Sequence, residues 1–205
     1  GQLDAAIKSY KQALTIKPDY AIAYNNLGIT LKKLGQLDAA LKSYNQALAI
    51  KPDYADVHNN LGNALNDLGQ LEAAVKSFEQ ALAIKPDYAE AHNNLGVTLQ
   101  ELGQLDAAVK SFEKALAINP DYVDAHNNLG NTLMNLGQLN AAVKSFEKAL
   151  AIKPDYAEAH NNLGNTLRDL NQLDAAVKSY EQALAIKPDF AEAHNNLGNT
   201  LRDLN

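Results

Sequence analysis

The sequence predicts an all-α repeat array, and three observations carry that prediction. Pro-Asp-Tyr or Pro-Asp-Phe recurs at Pro18, Pro52, Pro86, Pro120, Pro154 and Pro188, each 34 residues after the last. A fixed period of this length marks a stack of helical hairpins. Between consecutive prolines lie two segments of apolar residues at helical spacing, such as Ala157 to Leu170 and Leu173 to Ile186. Leu, Ala and Asn dominate the composition, and runs of β-branched residues are missing. Twelve helices in alternation follow, starting with a second-type helix (Leu3 to Ile16) and ending with a first-type helix (Ala191 to Leu204).

The local punctuation supports each element. The first-type helix should stop at Gly35, Gly69, Gly103, Gly137, Asn171 and Asn205, the two residue types that most readily take the left-handed conformation. The second-type helix should stop at the proline, which cannot continue it. Asp155 with Glu158 three residues later has the spacing of a capping box for the next helix. Asp53/Asp56, Asp87/Glu90, Asp121/Asp124 and Asp189/Glu192 repeat that spacing, whereas Asp19/Ile22 does not. The expected division is a single array over 1-205: a half repeat at 1-17, full repeats at 18-51, 52-85, 86-119, 120-153 and 154-187, and a half repeat at 188-205. Since one hairpin cannot hide both its apolar faces, neighbouring units should stack into a continuous core. The two end helices lack an outer neighbour in this sequence, so the expectation is either that capping elements were removed or that the ends associate head to tail with another copy.

Residues Leu163-Gly164, Ala176, Tyr180, Ala183 and Pro188 match, at their spacing, the pattern of the tetratricopeptide-repeat (TPR) family, which the whole chain resembles. His160 stands where that family often has tryptophan and Leu167 where it often has tyrosine. The resemblance implies a right-handed superhelical solenoid of antiparallel helix pairs whose first helices line a concave surface. It also implies a protein-interaction scaffold rather than an enzyme.

On a helical wheel, Ala159, Leu163, Leu167 and Leu170 form the packing stripe of the first helix, with His160 and Gly164 beside it. Glu158, Asn161, Asn165 and Arg168 lie opposite, flanked by Asn162 and Asp169. In the second helix Leu173, Ala176, Val177, Tyr180 and Leu184 point inward, while Asp174 and Lys178 form an exposed pair. The polar face carries asparagine doublets at Asn25/Asn26, Asn59/Asn60, Asn93/Asn94, Asn127/Asn128, Asn161/Asn162 and Asn195/Asn196, with a further row at Asn63, Asn131, Asn165 and Asn199. By helix propensity alone twelve paired asparagines cost about 6 to 8 kcal/mol relative to alanine. Two accounts are open. The amides suit the alternating donors and acceptors of an extended peptide backbone, or one member of each pair, the second being nearer the apolar edge, bonds the neighbouring unit. A similar ladder occurs in the TPR arm of O-linked N-acetylglucosamine transferase, which this chain resembles in that feature only.

Other chemistry finds little support. A net charge of -6 over 205 residues argues against a nucleic-acid partner. The acidic groove residues Asp56, Glu90, Asp124, Glu158, Glu192, Asp67, Glu101, Asp169 and Asp203 favour a neutral or basic protein ligand and disfavour a clamp for an acidic carboxyl terminus. His58, His92, His126, His160 and His194 sit one repeat apart, too far to share an ion, so neither metal nor cofactor is expected. They should be packing residues, with Tyr24 in their place in the first unit. Gly-rich phosphate loops and a nucleophile with a base are absent. No apolar run reaches membrane-spanning length. Absence of cysteine points weakly to a reducing, cytoplasmic setting. The expected role is a non-catalytic scaffold for an extended peptide or partner helix. The alternatives are the substrate-recognition arm of a larger enzyme, such as a glycosyltransferase, and a self-associating or designed array.

Overall fold

A computed structural model describes residues 1-204. Among them are twelve α-helices: α1 (Gln2–Ile16), α2 (Ala21–Lys33), α3 (Leu37–Ile50), α4 (Ala55–Asp67), α5 (Leu71–Ile84), α6 (Ala89–Glu101), α7 (Leu105–Ile118), α8 (Val123–Asn135), α9 (Leu139–Ile152), α10 (Ala157–Asp169), α11 (Leu173–Ile186) and α12 (Ala191–Asp203). No strand occurs among the described residues. Two compact units result, Gly1–Leu102 and Gly103 onward. In the first, α2 packs on α1 and α3, α4 on α3 and α5, and α6 on α5. In the second, every helix from α7 to α12 packs on its chain neighbours. First-type helices also touch one another: α2 with α4 and α4 with α6 in one unit, α8 with α10 and α10 with α12 in the other. Within each unit this is the helix-pair stacking of a TPR solenoid.

The turn inside each hairpin is set by a left-handed residue. Gly35 has φ of 72° and Asn171 has φ of 58°. Around Gly35, the Gln36 N–H donates to the Leu31 carbonyl and the Gly35 N–H to the Lys32 carbonyl, both at 2.9 Å. Gln172 and Asn171 repeat these bonds to Leu167 and Arg168 at 2.8 Å. This is the Schellman arrangement, which uses up carbonyls that the helix end would leave unpaired. Asn205, expected in the same role, lies outside the described residues.

The helix starts differ from the expected capping boxes. The cap position of α10 is Tyr156, not Asp155, and no side chain caps it; Tyr20, Tyr54, Tyr88, Tyr122 and Phe190 stand at the corresponding caps. The proline turn uses one more residue than a three-residue motif allows for, so Glu158 falls at the second helical position. There it helps the positive helix end and meets Lys187 Nζ at 3.6 Å. The cap ring is covered instead by the lysine before the proline: Lys153 Nζ lies 4.8 Å from the Tyr156 centroid and Lys187 Nζ 4.7 Å from that of Phe190.

Close packing within a hairpin rests on one glycine opposite one aromatic ring. Tyr44, Phe78, Phe146 and Tyr180 are fully buried. A Cβ added to Gly62 would sit 2.6 Å from Phe78 Cε1, and one added to Gly164 2.5 Å from Tyr180 Cε1. No real side chain tolerates that separation, so the ring occupies the space a side chain would take. Alanine at Gly62 is therefore expected to lower stability by about 1 to 3 kcal/mol. Alanine at Gly198, which would meet nothing within 4 Å, should raise it by up to about 1 kcal/mol through helix propensity. Urea midpoints of the two variants check the pair.

Candidate functional site: the asparagine ladder

The asparagine doublets form a connected ladder inside each unit. In the first, Asn60 Nδ2 donates to Asn25 Oδ1 at 3.0 Å and Asn94 Nδ2 to Asn59 Oδ1 at 3.1 Å. In the second, Asn162 Nδ2 reaches Asn127 Oδ1 at 3.4 Å and Asn196 Nδ2 reaches Asn161 Oδ1 at 3.1 Å. The second asparagine of one repeat thus donates to the first asparagine of the repeat before it. The second member thus bonds the repeat before it, as in the second of the two accounts left open by the sequence. Burial runs the other way: Asn25, Asn59, Asn93, Asn127 and Asn161 are the buried members, at 7% exposure or less, while Asn26, Asn60, Asn94, Asn128, Asn162 and Asn196 are half-buried. Asn161, placed on the polar face by a wheel drawn for one helix, is covered because the next first-type helix lies over it. Asn195, in the last helix, is exposed.

Asn63, Asn131, Asn165 and Asn199, the further row, are all half-buried. Asn165 accepts from the Tyr180 hydroxyl at 2.8 Å. Tyr44 occupies the same repeat position as Tyr180, but Ile29 stands where Asn165 would be, and the buried Tyr44 hydroxyl has no hydrogen-bond partner. Burial, then the Asp67 carboxylate, pushes that hydroxyl up to about 12. Burial raises Tyr88 and Tyr156 as well, helped by Glu90 and Asp56 in one case and by Asp124 and Glu158 in the other.

Polar bridges absent from the expected list run along the same helices. Lys32 Nζ pairs with Asp67 at 2.9 Å. Asn66 Nδ2 donates to Glu101 Oε2 at 3.2 Å, and Asn66 Oδ1 accepts from Thr98 Oγ1 at 2.8 Å. Asn59 Nδ2 approaches Glu90 Oε1 at 3.4 Å. These join residues 31 to 35 apart in sequence, and the only signal for them is the repeat offset combined with complementary polarity.

The histidines are fixed by the proline turns. Nε2 of His58, His92, His126, His160 and His194 lies 2.8 to 3.0 Å from the carbonyl oxygen of Pro52, Pro86, Pro120, Pro154 and Pro188. A carbonyl can only accept, so Nε2 carries the proton and ties helix to turn. No cluster of three or more His, Asp or Glu residues able to hold a metal occurs among the described residues.

Known proteins bear on this architecture. The TPR repeat family matches residues 1-35, 30-66, 62-103, 99-137, 130-167 and 164-204. The chain belongs to the tetratricopeptide-repeat family. Among solved structures it is similar to YrrB, described as a TPR protein with an unusual peptide-binding site, at 25% identity over 92% of this chain and 97% of that one, with a TM-score of 0.75. It is similar to PilW, a widely conserved type IV pilus biogenesis factor, at 28% identity over 95% and 90% of the two chains, with a TM-score of 0.86. A thermophilic TPR protein of Thermus thermophilus shares 25% identity over 89% and 100%, with a TM-score of 0.67. Comparison with curated protein sequences finds no match. Among the described residues no helix is long and apolar enough to cross a membrane.

The ladder geometry separates two kinds of asparagine. Asn60→Ala strands the buried Asn25 oxygen at a cost of about 1 to 3 kcal/mol, more than the roughly 0.5 to 0.7 kcal/mol that alanine returns in propensity. Its urea midpoint should fall, whereas that of Asn63→Ala should hold or rise.

Proposed function

We propose that this TPR array is a non-catalytic scaffold that binds an extended peptide along the asparagine-bearing faces of its first-type helices. The supporting observation is the hydrogen-bonding capacity the ladder leaves over. After its bond to Asn25, Asn60 retains its oxygen and one N–H, and Asn162 is in the same position after its bond to Asn127, while Asn94, whose oxygen accepts from Asn93 Nδ2 at 3.5 Å, retains one N–H. The side chains of Asn63 and Asn131 form no hydrogen bond among the described residues and sit half-buried on the same faces. Packed helices lie about 8 to 10 Å apart and an extended chain advances about 3.3 to 3.6 Å per residue. One rung would therefore meet a bound main chain about every third residue.

The charge of these faces favours a neutral or basic segment. Asp56, Glu90 and Glu101 in the first unit, and Asp124, Glu158 and Asp169 in the second, outnumber the cations around them. Membership of the TPR family and the likeness to a peptide-binding TPR protein agree with a scaffold role.

An immobilised library of random dodecapeptides tests the proposal, with wild type and the Asn63→Ala/Asn131→Ala variant compared on the captured sequences. Loss of two hydrogen bonds should weaken capture roughly 5- to 150-fold at an unchanged or raised melting temperature. Equal capture by both proteins, or none by either, would remove the groove assignment.

A further inference from the structure

Tyr44 and Tyr180 hold equivalent positions in their repeats, and the difference between them defines a site. Beside Tyr180, the carboxamide oxygen of Asn165 satisfies the hydroxyl at 2.8 Å. At Tyr44 the same place is taken by Ile29, and a donor on a fully buried residue is left unpaired. Leaving such a donor unmatched is costly. Above it lies a cavity of about 290 Å³ walled by Ile29, Lys32, Lys33, Tyr44, Asn60, Asn63 and Asp67. Half-buried Ile29 is the apolar part of that wall, Tyr44 lines the same cavity, and an occupant would have to turn Ile29 aside to reach the hydroxyl.

The chemistry of the wall restricts the occupant. Tyr44, raised far above neutral pH, offers a proton and needs an acceptor. Asp67, held by Lys32 at 2.9 Å, and the free oxygens of Asn60 and Asn63 need donors. A carboxylate would supply acceptors only and would lie against Asp67. An ammonium would supply donors only, leaving Tyr44 unpaired and crowding Lys32 and Lys33. A primary carboxamide supplies both, and its short methylene stem suits the face of Ile29.

We propose that this cavity is a subsite for a primary carboxamide, the side chain of glutamine or asparagine on a bound segment, which takes the place that Asn165 fills from within the chain at Tyr180. As a feature of a bound segment it rests on the groove assignment above, but its chemistry is testable separately. It would anchor one residue of the ligand at the α2 and α4 end of the first unit and so fix register along the asparagine rows.

The test is an NMR titration of the intact chain with N-acetyl-glutamine-N-methylamide, its glutamate counterpart and its norvaline counterpart. The signals to follow are the Tyr44 ring and the Asn63 side-chain amide. Saturable shifts with the glutamine compound, at an apparent affinity at least threefold above the other two, are expected. Ile29→Asn should abolish the response by filling the cavity with an internal amide, and Tyr44→Phe should weaken it about fivefold, read at Asn63. Both variants keep the fold, because phenylalanine stands at the equivalent positions 78 and 146 and asparagine at 63 and 131. A flat titration, an equal response to the glutamate or norvaline compound, or a response that survives Ile29→Asn would overturn the subsite. Peptide capture persisting beside a flat titration sinks the subsite alone. A positive titration without peptide capture supports the subsite and sinks the groove assignment alone.

Discussion

The interaction that sets the register of stacked repeats is the side-chain hydrogen bond from the second asparagine of one first-type helix to the first asparagine of the first-type helix before it. Once a neighbouring helix covers Asn25 or Asn161, water no longer serves its side-chain oxygen, and the partner has to come from the protein. Asn60 and Asn196 provide it. A shift of one helix along the other by a single residue would break the bond and bury an unmatched oxygen. The ladder therefore fixes the register of neighbouring repeats, which a stripe of leucines and alanines alone would leave free to slide.

Energetically the ladder comes close to balance. Eight asparagines make up the four rungs described within the units. In propensity they cost about 4 to 6 kcal/mol relative to alanine, and four hydrogen bonds return about 2 to 6 kcal/mol. So small a net effect assigns the doublets to specificity more than to stability. The glycine and aromatic pairs, with Phe78 and Tyr180 filling the space beneath Gly62 and Gly164, carry the packing. An amide that has given one N–H to its neighbour still has a second N–H, and in Asn60 and Asn162 an oxygen, which is the capacity the proposed groove would use.

Most of the fold was legible in the sequence because it is written 34 residues at a time. The expected helix Leu173 to Ile186 is the observed one, and Ala157 to Leu170 differs from its counterpart by one residue. What could not be read from one helix at a time was anything decided by the adjacent repeat. Asn161 looked polar-facing on its own wheel and is buried by α12 packing on α10. Asp155 had the spacing of a cap, but the proline turn places Tyr156 there under the Lys153 ammonium. Thr98 and Asn66 meet only because α4 and α6 lie side by side. The histidines, assigned to packing, also hold the turn six residues upstream, a bond whose signal is the constant spacing from proline to histidine.

In an array of near-copies, the positions that depart from the repeat carry the individuality. Positions kept in every unit answer the demands of stacking, which are the same everywhere. Ile29 answers no such demand: asparagine at that position in the fifth repeat satisfies the tyrosine below it, and phenylalanine in others removes the need. Among the described residues, only the combination of Tyr44 with Ile29 leaves a buried hydroxyl without its partner. Lys32 and Lys33 are equally local to α2, where no acidic residue opens the helix, while α4 and α6 begin with Asp56 and Glu90. The face of the first unit thus changes from cationic at α2 to acidic at α4 and α6. If a segment binds as proposed, that gradient would give it a preferred direction, and a single anchoring side chain at the Tyr44 cavity would set where along it the segment stops.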